Sequence, residues 1–474
     1  MAARYEEEFW EARPELEALR QWAQARRVSP WAVLGVVLAR VITHTAPNVV
    51  TPAIVGGIGS LNLFVGLVAR SGGGKGAAIA VGAEALEVGA TGLRIARANL
   101  GSGEGISAAF VGREKDENGT TEIVQHTDSV LFEVAEVDTF GAVSNRTGST
   151  LMPEVRKLWS GEALGFQNRD AARTLPVDAH AYRAAMIVGV QPTRSGALLG
   201  DADGGTPQRF LWMPATDPDA PDRAPAPPEP ICWDPPGEDV LPTVTGKRIL
   251  RVCDPAWDAI DTAQIARLRG EGDALDGHAL FSRLKVAAAL ALFDKRGDVT
   301  EKDWELAGIV MTVSDRTRQA CRDALRDAAT RANEARAEAR AEAAVVTADH
   351  AEVVALGKAK DRILGKLSHS WVGSALVRKN LTAKLRPYFD QAVEELVGEQ
   401  AMEVKFDKYQ GQPRVRYRLL TSSGVEKSSP LLDHSSDPQN HAENRSDKAG
   451  VSETSPLPTS RHLSIVDPRK EETA

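Results

Sequence analysis

The sequence predicts an α/β fold: a parallel-sheet core with helices ahead of it, a helical region behind it and a small C-terminal module of winged-helix outline. Three observations predict this. The run 61–69 is apolar apart from Asn62 and ends in a triple-glycine loop, as a buried parallel strand does when it hands over to a helix. Two further short apolar runs, 130–137 and 184–190, are bounded by polar or turn residues, as expected inside an α/β sheet. Behind them, residues 258–364 are rich in Ala, Arg, Glu and Leu at helical spacing.

A chain of 474 residues has room for two or three domains, since a single core rarely grows past ~250–300 residues. Residues 1–48 form an N-terminal helical segment, with Pro14 near one start and Ser29-Pro30 opening the next helix as cap and first helical residue. The core spans 49–215, with helices expected over 77–86 and 151–159. Ten of the 26 prolines fall between Pro214 and Pro242, so 216–245 is expected to be a loop without regular structure. Residues 246–360 complete the core as helices, and the charged stretch 331–342 reads as a solvated helix face. Over 361–421, helices from Asp361 and Leu381 precede strand-like pieces at 402–406 and 414–420, turned through Gly411 and Pro413. Residues 422–474 have few large apolar side chains and are expected to form a disordered tail.

Charge and cysteine usage exclude several classes. A net charge of −8 and a pI near 5.7 argue against a surface that coats nucleic acid throughout, leaving only a local basic patch. Cys232, Cys253 and Cys321 are far apart with no C-x-x-C pair, which points to reduced intracellular thiols without a metal. Glu6, Glu7 and Glu8 stand where a signal peptide needs basic residues. The most apolar stretch, 31–42, contains Arg40 and falls short of the ~20 residues that span a bilayer. A cytoplasmic location without membrane contact is expected.

The loop Ser71, Gly72, Gly73, Gly74, Lys75, Gly76 lies between strand and helix, where backbone N–H groups and a helix N-terminus enclose a phosphate. The glycines let the backbone close on the anion, and Lys75 supplies a point charge for the β- and γ-phosphates of ATP. Two positions depart from the G-x-x-x-x-G-K-[ST] pattern of a P-loop: Ala69 replaces the first glycine, and Gly76 replaces the hydroxyl that holds Mg2+. Binding tolerates these changes better than hydrolysis does.

Hydrolysis needs a carboxylate on a neighbouring strand. Alternation puts Glu136 and Asp138 on one side of the strand end, with Glu133 on the other. Glu136 is the preferred water-polarising or metal-linked acid and Asp138 its companion and candidate Mg2+ ligand, unless both are surface acids on a loop. Glu104, in a Gly-rich turn after the expected second strand, is an alternative base or a plain turn residue. Gln191 ends the run 184–190, where its amide can sense a γ-phosphate or merely cap the strand. Arg209, ahead of apolar Phe210 and Leu211, is either an arginine finger acting on a neighbouring subunit or an ion-pair partner. His278 opens a helix and reads as a cap or packing residue.

The order of these pieces over residues 25–315 resembles the RecA-like helicase ATPases of phage, plasmid and integrated-element primase-helicases, actinobacterial ones included. The matching pieces are Ser60-Leu61-Asn62, the 71–76 loop, the 130–138 strand, Leu158-Trp159-Ser160-Gly161-Glu162, Gly189-Val190-Gln191-Pro192 and Gln208-Arg209-Phe210. The resemblance implies an ATP-driven motor, a homo-oligomeric ring, moving on single-stranded DNA while a mobile element replicates, alongside separate primase or replication proteins. No primase portion is evident, and Gly76 leaves magnesium handling open.

Residues 371–420 carry nine Lys or Arg against six Asp or Glu, a local excess suited to phosphate. Arg414, Arg416 and Arg418 alternate along the last strand and so share a face; they either track a DNA backbone or keep an edge strand solvated. Two functions therefore stand: a DNA helicase or translocase-type ATPase, or a nucleotide-binding DNA adaptor such as a replication initiator or transcription regulator with little hydrolysis.

Overall fold

Five parallel strands make the central sheet: β1 (Leu63–Val68), β2 (Ile95–Asn99), β3 (Ser129–Val134), β4 (Arg183–Val190) and β5 (Phe210–Pro214), in the spatial order β5-β1-β4-β3-β2. The computed structural model describes residues 2–420 apart from 116, 145–148, 166–174, 202 and 272–275; the expected tail, 422–474, lies outside the described residues. The chain divides into two units, Met1–Val345 and Val346–Ala474. The division and the expected boundary at 360/361 both fall inside the 64-residue helix Glu301–Leu364.

The sheet is covered on both faces, which is why β1 and, from Ala184 on, β4 read as unbroken apolar runs, and both strands are buried along their whole length. Successive side chains alternate between two cores. Leu63, Val65, Leu67, Ile187, Leu211 and Met213 point to one; Phe64, Val68, Met186, Val188, Phe210 and Trp212 point to the other. The N-terminal helices Pro14–Ala25 and Pro30–Thr43 belong to the first core, not to a separate layer. A Cβ on Gly35 would sit 2.9 Å from Met213 and Val65 side-chain carbons, so glycine is what lets that helix lie against the sheet.

Two expectations for the first unit need correction. The strand expected over 130–137 stops at Val134, and Val137–Ser144 is already helix. The proline-rich stretch contains a strand, Ile231–Trp233, paired in parallel with Leu86–Val88. Its three residues lie between Pro230 and Pro235, and Trp233 is buried with Nε1 donating to the Leu292 carbonyl at 2.9 Å. A gap between prolines is enough for local pairing.

The N-terminal ends of β1 and β4 are tied by a buried polar network. Arg183 donates to the carbonyls of Thr45 (3.3 Å) and Ala46 (2.9 Å) and to that of Val49, and to Ser60 Oγ (3.1 Å). Asn62 Oδ1 accepts from the Ala184 N–H at 2.9 Å, and its Nδ2 donates to the Leu158 carbonyl. Lys285, fully buried on the helix Asp276–Phe293, donates to the carbonyls of Asn62 (2.9 Å) and Trp159 (2.6 Å). Burial pushes the Arg183 guanidinium down to about 9 and the Lys285 ammonium well below its ordinary value. Arg183→Leu strands those carbonyls, and the expected cost is about 3–5 kcal/mol, read as a lower urea midpoint. A loss under about 1 kcal/mol would mean that the carbonyls find other donors.

In the second unit, the central strand Gln412–Leu419 pairs antiparallel with Val372–Gly373 on one side and Met402–Tyr409 on the other. Ile363, Val377, Phe389, Leu396, Met402 and Tyr417 form its core with the helices Ser374–Lys379 and Phe389–Gly398. The helix expected from Leu381 begins only at Phe389, after the 3-10 turn Arg386–Tyr388; Pro387 restricts the backbone of the residue before it. Gln410 and Gly411 both have positive φ (49° and 79°), giving the two-residue turn that suits a twisted hairpin.

Candidate functional site

Leaving β1, the chain folds over the mouth of the sheet. The Ala69 N–H donates to the Val190 carbonyl at the end of β4 (3.0 Å), and the Ala215 N–H donates to the Val68 carbonyl (2.8 Å). The three loop glycines do different work. Gly72 and Gly74 have φ of 74° and 81°, in the region that favours glycine. Gly73 keeps negative φ, but a Cβ there would lie 2.6 Å from the Ala69 Cβ and 3.0 Å from the Arg70 carbonyl. The helix Lys75–Ala85 starts at once. Among the described residues, the N–H groups of Ser71, Gly72, Gly74, Lys75 and Gly76 donate to no backbone carbonyl, leaving donors at a helix N-terminus where an anion is favoured.

Lys75 is 9% exposed and turns back under this loop, its Nζ 3.3 Å from the Ala69 carbonyl. The same Nζ lies 3.7 Å from Glu136 Oε1, and Gln191 Nε2 donates to Glu136 Oε2 at 3.0 Å. Three sequence candidates therefore meet at the C-terminal ends of adjacent strands: Lys75 after β1, Gln191 after β4 and Glu136 after β3. Gly189 permits the approach, since a Cβ there would be 2.0 Å from the Ala135 carbonyl and 3.3 Å from Lys75 Cε. The arrangement offers a cation and open amides for a phosphate, and a carboxylate held by an amide for a water.

Asp138 stands differently from expectation. The strand has ended, so alternation no longer applies; Asp138 is in the first turn of Val137–Ser144 and is ion-paired with Arg194. Arg194 follows Gln191 in the 3-10 turn Pro192–Arg194, and its hydrogen bond to Asp138 raises its pKa. It is a cation beside the site that the sequence analysis does not single out, although its place three residues after Gln191 is a signal. Among the described residues no group of three or more His, Cys, Asp or Glu is placed to hold a metal ion. Glu136 and Asp138 fit only an Mg2+ carried mainly by substrate phosphates and water.

Glu104 is exposed in the first turn of Gly103–Ala108, beyond β2. With β4 and β3 intervening, β2 is three strand spacings from β1, about 14 Å, so Glu136 is the nearer acid. Arg209 ends up at the opposite edge of the sheet, before β5, where Phe210 pairs with Phe64. It is 8% exposed, donates to the Gly204 carbonyl (2.7 Å), contacts His278 Nε2 (3.2 Å) and lies over the Trp159 ring at 5.3 Å. The structure does not bring it to the glycine loop of its own chain.

His278 accepts from Arg209, which requires the neutral ring. Burial first, then Arg209, Arg267 and Lys285, push its pKa from 6.5 to about 4. Between those values the unfolded chain holds a proton that the folded chain does not, so stability rises with pH through that window and is lost as pH falls. His278→Gln keeps an acceptor but does not titrate. It is expected to lose about 1 kcal/mol less than the parent between pH 7 and 5, after discounting for its exposed part, measured by urea unfolding at both pH values.

On the C-terminal hairpin, Arg414, Arg416 and Arg418 do share a face, but cross-strand acids answer two of them: Arg416 pairs with Asp407, and Arg418 with Glu403 at 2.7 Å. Arg418 and Lys405 also lie over the Trp371 ring, at 4.7 and 5.8 Å, and Arg414 lies over the Tyr409 ring at 5.5 Å. The neighbouring helix Phe389–Gly398 carries Asp390, Glu394 and Glu395 and no basic residue. The helix Ser374–Lys379 of the same unit ends in Arg378 and Lys379, so the cations of this unit are shared between that helix and the hairpin.

No helix among the described residues is long and apolar enough to cross a membrane. No protein-family model matches the chain, and a search of curated proteins finds no match.

Proposed function

We propose that this chain is an ATP-dependent DNA translocase or helicase-type ATPase, with a RecA-like core and a winged-helix module, serving replication of a phage, plasmid or integrated element. The observation that carries the reading is the meeting of Lys75, Glu136 and Gln191 beneath a loop of unengaged amides. In this reading the loop and Lys75 hold the β- and γ-phosphates of ATP·Mg2+, and Glu136, held by Gln191, orients and deprotonates the attacking water. Arg194 supplies a cation at the rim. Arg209, buried and partnered within its own chain, is left a packing role.

The order helix, strand, helix, helix, hairpin in the second unit supports a winged helix, with the aromatic-backed arginines of the hairpin meeting the DNA backbone. Self-association into a ring and a separate primase belong to the same proposal.

One observation favours a second reading. Gly76 offers no hydroxyl for magnesium, as suits a nucleotide-binding DNA adaptor with weak hydrolysis. ATP turnover measured with and without single-stranded DNA separates the two. The motor reading expects turnover to rise when single-stranded DNA is added, since DNA engagement would complete the phosphoryl-transfer site. Turnover indifferent to DNA, together with duplex binding without unwinding, would transfer the case to the adaptor.

A further inference from the structure

At the end of β1 opposite the glycine loop, a cavity of about 490 Å3 opens between the segment 51–59, the end of the helix Leu151–Ser160 and the helices Asp254–Leu268 and Asp276–Phe293. That volume lies within the ~300–1,000 Å3 range of small-molecule sites. One wall is apolar, with Ile54, Ile260, Phe281 and Leu284. Arg267, His180 and His278 line the rest, with Glu162 as an exposed acid on the lining.

Arg267 is prepared in a specific way. Its Nε and Nη2 both donate to Gln264 Oε1, at 3.2 and 2.7 Å, which fixes the guanidinium plane. Among the described residues its buried Nη1 has no hydrogen-bond partner, and the same holds for His180 Nδ1. Leaving such groups unanswered costs about 1–3 kcal/mol each. Among the described residues, three cations stand close by. Lys247 donates to the His180 carbonyl at 3.2 Å, Arg209 contacts His278, and Lys285 is buried behind Phe281, 4.7 Å from its ring. Both imidazoles are pushed down, by burial first and then by these cations, which keeps them neutral near pH 7.

We propose that this cavity binds a small molecule carrying one anionic group, a carboxylate or a phosphate monoester, on an apolar body, with Arg267 taking the anion and Phe281 and Ile260 the body. It is a second site, separated from the glycine loop by the six-residue length of β1, about 20 Å. It stands whether or not that loop binds a nucleotide.

The test uses the full chain and three probes of one shape: 2-naphthoate, 2-naphthyl phosphate and the neutral 2-naphthylmethanol, titrated by calorimetry. At least one anion is expected to bind ten times or more tightly than the alcohol, and which anion does so identifies the headgroup. Arg267→Gln is expected to erase that preference. Ile54→Trp, which adds bulk to the apolar wall of the cavity, is expected to weaken all three probes. Equal binding of anions and alcohol, no binding below about 1 mM, or a preference that survives Arg267→Gln would each overturn the proposal.

Discussion

Lys75→Ala is expected to lower ATP turnover by about three orders of magnitude, equivalent to ~4 kcal/mol of transition-state stabilisation. The effect is electrostatic. Lys75 is nearly buried, at 9% exposed, with its Nζ held between the Ala69 carbonyl and Glu136, so its charge acts where water screens it little. In the loose transition state of phosphoryl transfer, negative charge shifts toward the leaving β-phosphate, where a cation of the loop can meet it, and no other Lys or Arg comes from the 71–76 loop. Folding should be little affected, because the ammonium makes one long hydrogen bond and one ion pair at 3.7 Å. Turnover is measured beside a thermal melt. An unchanged rate in a folded variant would remove the phosphate-cradle reading.

Legibility in the sequence follows the scale of the physics involved. β1, the glycine loop and the helix after it are readable because burial on both faces and positive φ each demand particular residue types within a few positions, as at 61–76. The sites of Glu136 and Gln191 are readable as strand ends. Their contact is not, because it depends on β4 lying between β1 and β3, and strand order is set by pairings over more than a hundred residues. Asp138 reads as a strand residue since Val137 continues the apolar pattern, while the backbone has already turned into a helix. The pairing of Arg416 with Asp407 and Arg418 with Glu403 is a matter of hairpin register, fixed by the turn at Gln410-Gly411 and hidden when the turn is expected to run through Pro413. Lys285 is invisible for another reason: a lone lysine in an alanine-rich helix reads as a surface charge until the carbonyls of Asn62 and Trp159 are seen around it.

The choice among the acids gives the second large effect. Glu136→Gln preserves volume and keeps an oxygen that can accept from Gln191 Nε2, so the geometry at the strand ends survives while the proton acceptor is lost. General-base catalysis contributes about 10²–10⁴ in rate, and turnover should fall by that range while nucleotide affinity stays level or rises, since a negative charge next to the phosphates has been removed. Asp138→Asn disturbs only an exposed pair with Arg194, and its expected effect is less than about tenfold, in line with the small worth of exposed ion pairs. Glu104→Gln, at the far strand, is expected to leave turnover as it was. These variants rank the acids by position: β3 ends two strand spacings from β1, near enough for Glu136 to meet Lys75, while β2 ends three away. A large loss in Glu104→Gln with a small one in Glu136→Gln would mean that the loops close over the sheet in a different order during turnover, and the catalytic assignment would pass to Glu104.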